Sequence, residues 1–499
     1  MAVTPKLDEF VSHPHAFFIG GEWVKASSNA TFDVVTPSTE ESFGTVAEAQ
    51  ATDVECAIAA ARVAFDLGPW PRMSHRERAG YLRAIATEVT QRTADLAATW
   101  TNEMGVVNSF AQWFMPTAGD IFEYHAAMAE TFPFIERREP ERGGFGLLVR
   151  EPVGVVAAIV PWNFPVMLIS WKLAPALLAG CTVVLKASPE APSAAYIFAE
   201  IAEKTGLPKG VLNVVTADRE VSEGLVRNPA IDKVTFTGSS AAGKRIASIC
   251  GERIARCTLE LGGKSAAVIC DDYDLEAAAA SLAAGARTMT GQVCSSLTRA
   301  IVGRHRHDAF VEALSSAFAA IEVGDPFAPG TQMGPLAMAR QRDRVMGYIA
   351  RGQAEGARLA TGGRPPAHMD RGYYVEPTVF AGVDNAMSIA REEIFGPVVC
   401  VIPAEDETDA IRIANDSPYG LNAAVFTGDP DKAYRAAREI RSGTVGQSGS
   451  RTDFTIAFGG FKQSGIGREG GEEGLRQFLE TKTIILDSIP EEMEGKFDE

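Results

Sequence analysis

The sequence predicts an α/β fold with parallel sheets covered by helices on both faces. Short apolar, β-rich runs alternate with alanine-rich helical stretches, the pattern of repeated βαβ units. The strand candidates are residues 154–160, 182–185, 211–215, 233–237, 266–270 and 398–402, and helix-like segments such as 191–205 and 274–289 lie between them. At 499 residues the chain is too long for one core, so roughly two to four domains are expected.

The remaining elements follow in chain order. Residues 1–9 lack the basic and then apolar pattern of a secretion signal. Residues 137–152 are charged and glycine-bearing and end in a β-like run, so they read as an excursion from the first domain. Residues 152–171 carry no charge, but Pro161, Asn163 and Pro165 would strand backbone groups in lipid. A buried strand running into a helix explains them better. Residues 477–486 read as a late strand, followed by an acidic, solvated tail at 490–499.

Composition narrows the function. With 64 acidic against 47 basic residues the formal net charge is -17, a surface that repels nucleic acid and anionic membranes. The seven cysteines show no paired metal-ligand spacing, so no metal site is expected, and their odd number fits a reducing cytoplasm.

Two motifs carry chemistry. Gly291-Gln292-Val293-Cys294 offers a thiol among small residues, and upstream Glu260-Leu261-Gly262-Gly263-Lys264 offers a carboxylate on a glycine-flanked turn. A thiol nucleophile needs a partner that activates it, or activates the water that releases its acyl product. The seven histidines (His13, His15, His75, His125, His305, His307 and His368) all lie away from these motifs in sequence, which favours a Cys/Glu pair over a Cys-His hydrolase. Val160-Pro161-Trp162-Asn163-Phe164-Pro165 is a rigid turn after a buried strand, and the Asn163 amide suits an oxyanion. Lys186 ends a strand, where ligands of open α/β sheets bind. Gly238 and Ser239 open a helix whose free N–H groups suit a pyrophosphate, although the motif is neither GxGxxG nor a Walker loop. Taken singly, each has a structural reading: a core cysteine, a helix cap, a turn asparagine, a surface lysine. Glu392-Glu393-Ile394-Phe395-Gly396-Pro397 and the run from Phe458 to Glu469 read alone as glycine-rich turns.

Together and in this order, these stretches resemble the aldehyde dehydrogenase superfamily. The resemblance begins at Phe18-Ile19-Gly20-Gly21-Glu22-Trp23 and ends near Leu486. It implies that Cys294 attacks an aldehyde carbonyl, and that the oxyanion is held by the Asn163 amide and the Cys294 backbone N–H. It implies that a thioester follows and that Glu260 activates the water that hydrolyses it. Lys172 and Glu469 match positions proposed to pass the proton outward. Trp162, Lys186, Gly238 and Ser239 match the adenosine and pyrophosphate side of a nicotinamide dinucleotide, and Glu393 and Phe395 its nicotinamide side.

Departures from the family pattern bear on specificity. NAD-preferring members often carry Glu three residues after the matching Lys, where it accepts from the ribose hydroxyls and repels a 2′-phosphate. This chain has Pro189 there and Glu190 one place later, with no further Arg or Lys flanking in sequence. NAD is favoured as cofactor, with NADP possible. Ala457 stands where many members have proline, in a loop that lines the aldehyde pocket of the family. With Phe164, Leu168, Trp171 and Phe454 matching pocket positions, an apolar or aromatic aldehyde is expected, while Arg451 keeps a carboxylate-bearing semialdehyde in view. The rivals are a CoA-acylating relative, which generally lacks the Glu260 carboxylate, and a catalytically silent scaffold.

The resemblance also implies the architecture. A Rossmann-like cofactor domain spans 1–136 and 153–259, a catalytic α/β domain spans 260–474, and a small β excursion at 137–152 with 475–499 builds a homodimer or homotetramer.

Overall fold

The computed structural model describes residues 6–494; the readings made of residues 1–5 and 495–499 lie outside the described residues. The α/β expectation holds. An eight-stranded and a seven-stranded sheet dominate, with a three-stranded and a two-stranded sheet beside them. Among the described residues no helix is long and apolar enough to cross a membrane.

Across the eight-stranded sheet the strands run Gly465–Ile466, Arg256–Glu260, Lys233–Thr237, Val155–Ile159, Thr182–Ala187, Leu212–Thr216, Ala16–Ile19 and Glu22–Lys25. The central five are parallel. Val155–Ile159 is buried at every residue because helices cover both faces, which is why it reads as a continuous apolar run. The uncharged stretch that looked membrane-like is this strand and the helix Pro165–Ala179. Pro165 starts that helix, and Gly180 ends it at a left-handed φ of 99°. Every side chain of the helix is buried, so its hydrophobicity is that of a core helix.

The second sheet runs Arg358–Thr361, Thr378–Ala381, Val398–Ala404, Leu297–Gly303, Ser265–Ile269, Asn422–Phe426 and Thr444–Gln447. All neighbours are parallel except the first pair. The chain passes from the first sheet to the second between Glu260 and Ser265. It returns to the first at Gly465–Ile466, within the stretch assigned to the catalytic domain, where it pairs antiparallel with Leu259 and Glu260. The excursion and the late strand lie in one three-stranded sheet. Phe145–Pro152 pairs antiparallel with Ile135–Arg138 on one side and Leu479–Leu486 on the other.

Candidate active site

In the first sheet the chain runs from Val155–Ile159 outward through Thr182–Ala187 and Leu212–Thr216, then returns to Lys233–Thr237 on the opposite side of its starting strand. The strand order reverses between Val155–Ile159 and Lys233–Thr237. Loops leaving those two strands diverge and open a crevice, the standard ligand position in an open α/β sheet. Trp162 and Asn163 lie on one loop, Gly238 and Ser239 on the other. The second sheet faces this crevice with the amino ends of its strands: Cys294 precedes Leu297–Gly303, Glu393 precedes Val398–Ala404, and Gly262-Gly263 precedes Ser265–Ile269.

The thiol loop is firmly held. Met289 and Thr290 are left-handed, with φ of 50° and 56°, a conformation that needs outside support. The Thr290 hydroxyl supplies some by donating to the Gly334 carbonyl at 3.0 Å, and the Gln292 amide oxygen accepts from the Ala337 N–H at 3.0 Å. The Asn163 Nδ2 donates to the Gln292 carbonyl at 2.9 Å, tying the expected oxyanion donor to the loop of Cys294 and leaving its second amide hydrogen for another acceptor. Trp100, from a distant helix, donates to the Asn163 backbone carbonyl at 2.9 Å and fixes that turn from behind.

Two carboxyl groups bear on Cys294. Burial pushes its thiol up to about 12, with Glu393 and Glu260 adding to the rise. Glu260 ends its strand 3% exposed, and neither carboxylate oxygen has a hydrogen-bond partner. Burial holds its pKa well above the ordinary carboxylate range, Glu469 raises it further, and Lys172 and Arg468 oppose. Burial likewise lifts Glu393 to about 7, against a 3.1 Å bond from the Gly263 N–H. The two glycines in this turn are steric necessities. A Cβ on Gly262 would stand 2.3 Å from Glu393 Oε2, and one on Gly263 would stand 2.5 Å from the Cys294 carbonyl oxygen. The late glycine-rich run clamps the same turn, since the Ser464 hydroxyl donates to the Gly262 carbonyl at 2.7 Å.

Lys172 and Glu469 meet on one face of the first sheet. Lys172 Nζ ion-pairs with Glu469 Oε1 and donates to the Thr237 hydroxyl at 2.7 Å, while the Thr235 hydroxyl reaches the same Glu469 oxygen at 3.3 Å. Strand alternation puts Thr235, Thr237 and Glu260 on this face, with Lys233 donating to Thr258 at 2.7 Å at its far end.

The residues expected to hold a dinucleotide divide into two groups. Trp162 and Phe395 meet edge to face at 5.5 Å near the thiol loop. Lys186 stands apart at its strand end, 9% exposed, and burial pushes its ammonium down to about 8 although Glu190 and Asp218 favour the charge. Ser239 caps the helix Ser240–Glu252 by accepting from the Ala242 N–H at 3.3 Å, so its hydroxyl is already engaged at an open helix N-terminus. A largely buried ammonium, a free helix N-terminus and an aromatic edge pair along one crevice fit an extended anionic dinucleotide.

The residues expected to line an aldehyde pocket have aromatic neighbours. Phe164 lies 5.0 Å from Trp100 and 5.2 Å from Phe114, Trp171 lies 5.3 Å from Phe458, and Phe454 meets Tyr124 edge on at 6.0 Å. Leu168 is buried in the same cluster, against which Cys294 packs. Trp171 Nε1 is buried without a partner. Arg451 lines a cavity of about 440 Å³ with Val293 and Ser295, the neighbours of Cys294. Sequence reasoning missed Trp100, Phe114 and Tyr124, because aromatic residues on helices read as ordinary core. It also missed Arg340, which ion-pairs with Glu190 and so brings the flanking Arg that was absent in sequence.

Comparison with known proteins places this geometry. The model of the aldehyde dehydrogenase family matches residues 23–484. Geranial dehydrogenase of Castellaniella defragrans is 42% identical over 477 residues, covering 95% of this chain and 99% of that one. A 3-succinoylsemialdehyde-pyridine dehydrogenase of a Pseudomonas species is 41% identical, covering 94% and 98%. Among solved structures, an aldehyde dehydrogenase of Mycobacterium tuberculosis complexed with NAD+ is 44% identical with a TM-score of 0.92, covering 95% and 98%. A mutant of aldehyde dehydrogenase C from Pseudomonas syringae, in complex with NAD+ and octanal, is 38% identical with a TM-score of 0.92, covering 96% and 98%.

Proposed function

This chain belongs to the aldehyde dehydrogenase family, and from that premise we propose that it oxidises an apolar or aromatic aldehyde to its carboxylic acid with NAD, through Cys294 as nucleophile and Glu260 as general base. The observation that carries this reading is the state of Glu260: a buried carboxyl with two unpartnered oxygens, close enough to Cys294 to influence its thiol. A buried carboxyl without a bond partner keeps both oxygens free to accept from a reacting water.

Each residue has a task that its surroundings support. Trp162, Lys186, Gly238, Ser239, Glu393 and Phe395 would hold the dinucleotide, which supplies the hydride acceptor that no side chain provides. The Cys294 thiol gives its proton to ionised Glu260, which passes it to the Lys172–Glu469 relay, and the sulfur attacks the aldehyde carbonyl. The second amide hydrogen of Asn163 and the Cys294 N–H stabilise the oxyanion, an effect of about 2.7–4 kcal/mol for one such donor. Phe164, Leu168, Trp171 and Phe454 exclude water and grip the aldehyde tail. The oxidised acyl group remains on sulfur as a thioester. Glu260 then takes the proton from the attacking water, and Lys172 with Glu469 relays it outward. Glu260 favours water over CoA as the acyl acceptor, and keeping the nucleophile, base and oxyanion donor together disfavours a silent scaffold. The relatives support NAD as cofactor and an apolar aldehyde as substrate: solved neighbours hold NAD+ and octanal, and one curated relative acts on geranial by its name.

Arg451 favours a second reading, a semialdehyde whose distal carboxylate meets the guanidinium in the cavity beside Val293 and Ser295. For assembly, the strand Leu479–Leu486 has Ile485 at 64% exposure, which supports pairing of copies as a homodimer or homotetramer.

The test is absorbance of the reduced nicotinamide with an aldehyde panel, NAD and NADP in parallel, without CoA. Octanal and an aryl aldehyde should turn over faster than succinate semialdehyde; the reverse order selects the second reading. Strict dependence on CoA would overturn hydrolysis. Cys294→Ala should abolish turnover, and Glu260→Gln should give one burst of reduced cofactor and then stall.

A further inference from the structure

The turn after Lys186 carries an arrangement that the expected NAD pattern does not explain. Pro189 offers no acceptor where many NAD-preferring relatives have a carboxylate, and the nearest carboxylate, Glu190, is already engaged. Its Oε2 accepts from the Ser188 hydroxyl, and its Oε1 pairs with the guanidinium of Arg340, which is carried in by the helix Ala339–Ala354. The Arg340 side chain is 66% exposed against 26% for Glu190, so the guanidinium stands at the rim of the crevice while the carboxylate lies inside. An ion pair with its guanidinium this open is weak and exchanges readily. A phosphate dianion competes well for such a partner, because the planar fork of Arg matches it with two charge-assisted bonds.

We propose that Arg340 is a cofactor-specificity residue: it masks the charge of Glu190 when NAD is bound, and it turns to the 2′-phosphate when NADP is bound, so that the site admits both. The inference rests on the reading that Lys186 receives the adenosine ribose of a dinucleotide. Two cations, Lys186 and Arg340, then face the phosphate, against the paired Glu190 and the helix-capping Asp218. Burial of Glu190 works against its charge, but the Ser188 hydroxyl and Arg340 together keep it below the usual carboxylate range, so Glu190 is a negative group beside the expected phosphate position that Arg340 offsets.

Equilibrium binding tests this independently of turnover. NAD and NADP are titrated into the full-length wild type, Arg340→Ala and Glu190→Gln, following quenching of tryptophan fluorescence. The wild type should bind the two cofactors within about tenfold of one another. Arg340→Ala should weaken NADP by about tenfold or more relative to NAD, and Glu190→Gln should shift the ratio toward NADP. Wild type that binds NAD but not NADP overturns the proposal, as does an NADP-to-NAD ratio unmoved in Arg340→Ala. No binding of either cofactor sinks instead the reading on which the proposal rests, and the proposal with it.

Discussion

Lys172 and Glu469 form an ion pair closed to solvent on both sides, with side-chain exposures of 0% and 3%. It lies in the same compartment as Glu260, and its two members act on that carboxyl in opposite senses: Glu469 raises its pKa and Lys172 lowers it. A general base works in its ionised form, so the rate of thioester hydrolysis should rise with pH along a limb set by Glu260. Glu469→Gln should move that limb to lower pH, and Lys172→Met should move it to higher pH. Either single change should also cost about 3–5 kcal/mol of stability, because a buried charge is left alone. Single-turnover hydrolysis against pH is the check. Limbs that shift in the same direction in both variants would reduce the pair to a structural role.

Gly263 is the point where the Glu260 turn touches the thiol loop, since a Cβ there would lie 2.5 Å from the Cys294 carbonyl oxygen. The oxygen is backbone and a Cβ is fixed by its own backbone, so neither yields cheaply. Gly263→Ala should displace Cys294 and lower kcat by about a hundredfold, the cost of a misplacement near 1 Å. The fold should survive, because apart from this contact the nearest atoms to the new methyl are Leu421 Cβ at 3.2 Å and Ser265 Oγ at 3.4 Å. A variant with unchanged kcat and unchanged thiol reactivity would show that the loop tolerates the shift.

The residues that stand at strand ends were legible before the structure. Glu260, Lys186, Asn163 and Ser239 each follow an apolar run and precede a turn or helix, and topology then gathers such ends in one crevice. Partners distant in sequence were not legible. Trp100 braces Asn163 from 63 positions away, and Arg340 reaches Glu190 from 150. No local pattern marks either contact. The return of Gly465–Ile466 to the first sheet was hidden for another reason: two residues are too few to show any periodicity. The helix Pro165–Ala179 shows the opposite case, since its first residue, Pro165, is a turn signal that the sequence displays directly.

Glu103 gives a prediction away from the chemistry. It is buried and caps the helix Ser193–Lys204 by accepting from the Ser193 N–H at 3.0 Å and from its hydroxyl at 2.5 Å. Burial outweighs both bonds and lifts its pKa from 4.5 to about 8. Between those values the folded state binds a proton that the unfolded state does not. This contribution is therefore complete below the unfolded value and is lost as pH rises through the folded one, by up to about 1.4 kcal/mol per pH unit. Glu103→Gln retains an acceptor without the charge. The wild type should lose more Tm than this variant between about pH 5 and pH 8. Parallel Tm curves would place the titration elsewhere.

The pocket wall separates grip on the aldehyde tail from chemistry at the carbonyl. Phe164 joins Trp100 and Phe114 in an aromatic wall, whereas the carbonyl is expected to sit at Cys294 and Asn163. Phe164→Ala should therefore lower kcat/KM for octanal or an aryl aldehyde by about 10–200-fold, the scale of lost apolar contact in a pocket. Acetaldehyde, with no tail to grip, should be nearly unaffected. Trp171→Phe is a milder probe of the same wall: it removes an N–H that has no partner but also shrinks the ring beside Phe458, so octanal turnover should fall less than in Phe164→Ala and acetaldehyde should be spared. An equal loss for acetaldehyde and octanal in Phe164→Ala would mean that the ring supports the Asn163 turn rather than the substrate. Trp100 makes that outcome distinguishable. It bonds directly to the Asn163 backbone, so Trp100→Phe should lower turnover of both aldehydes together.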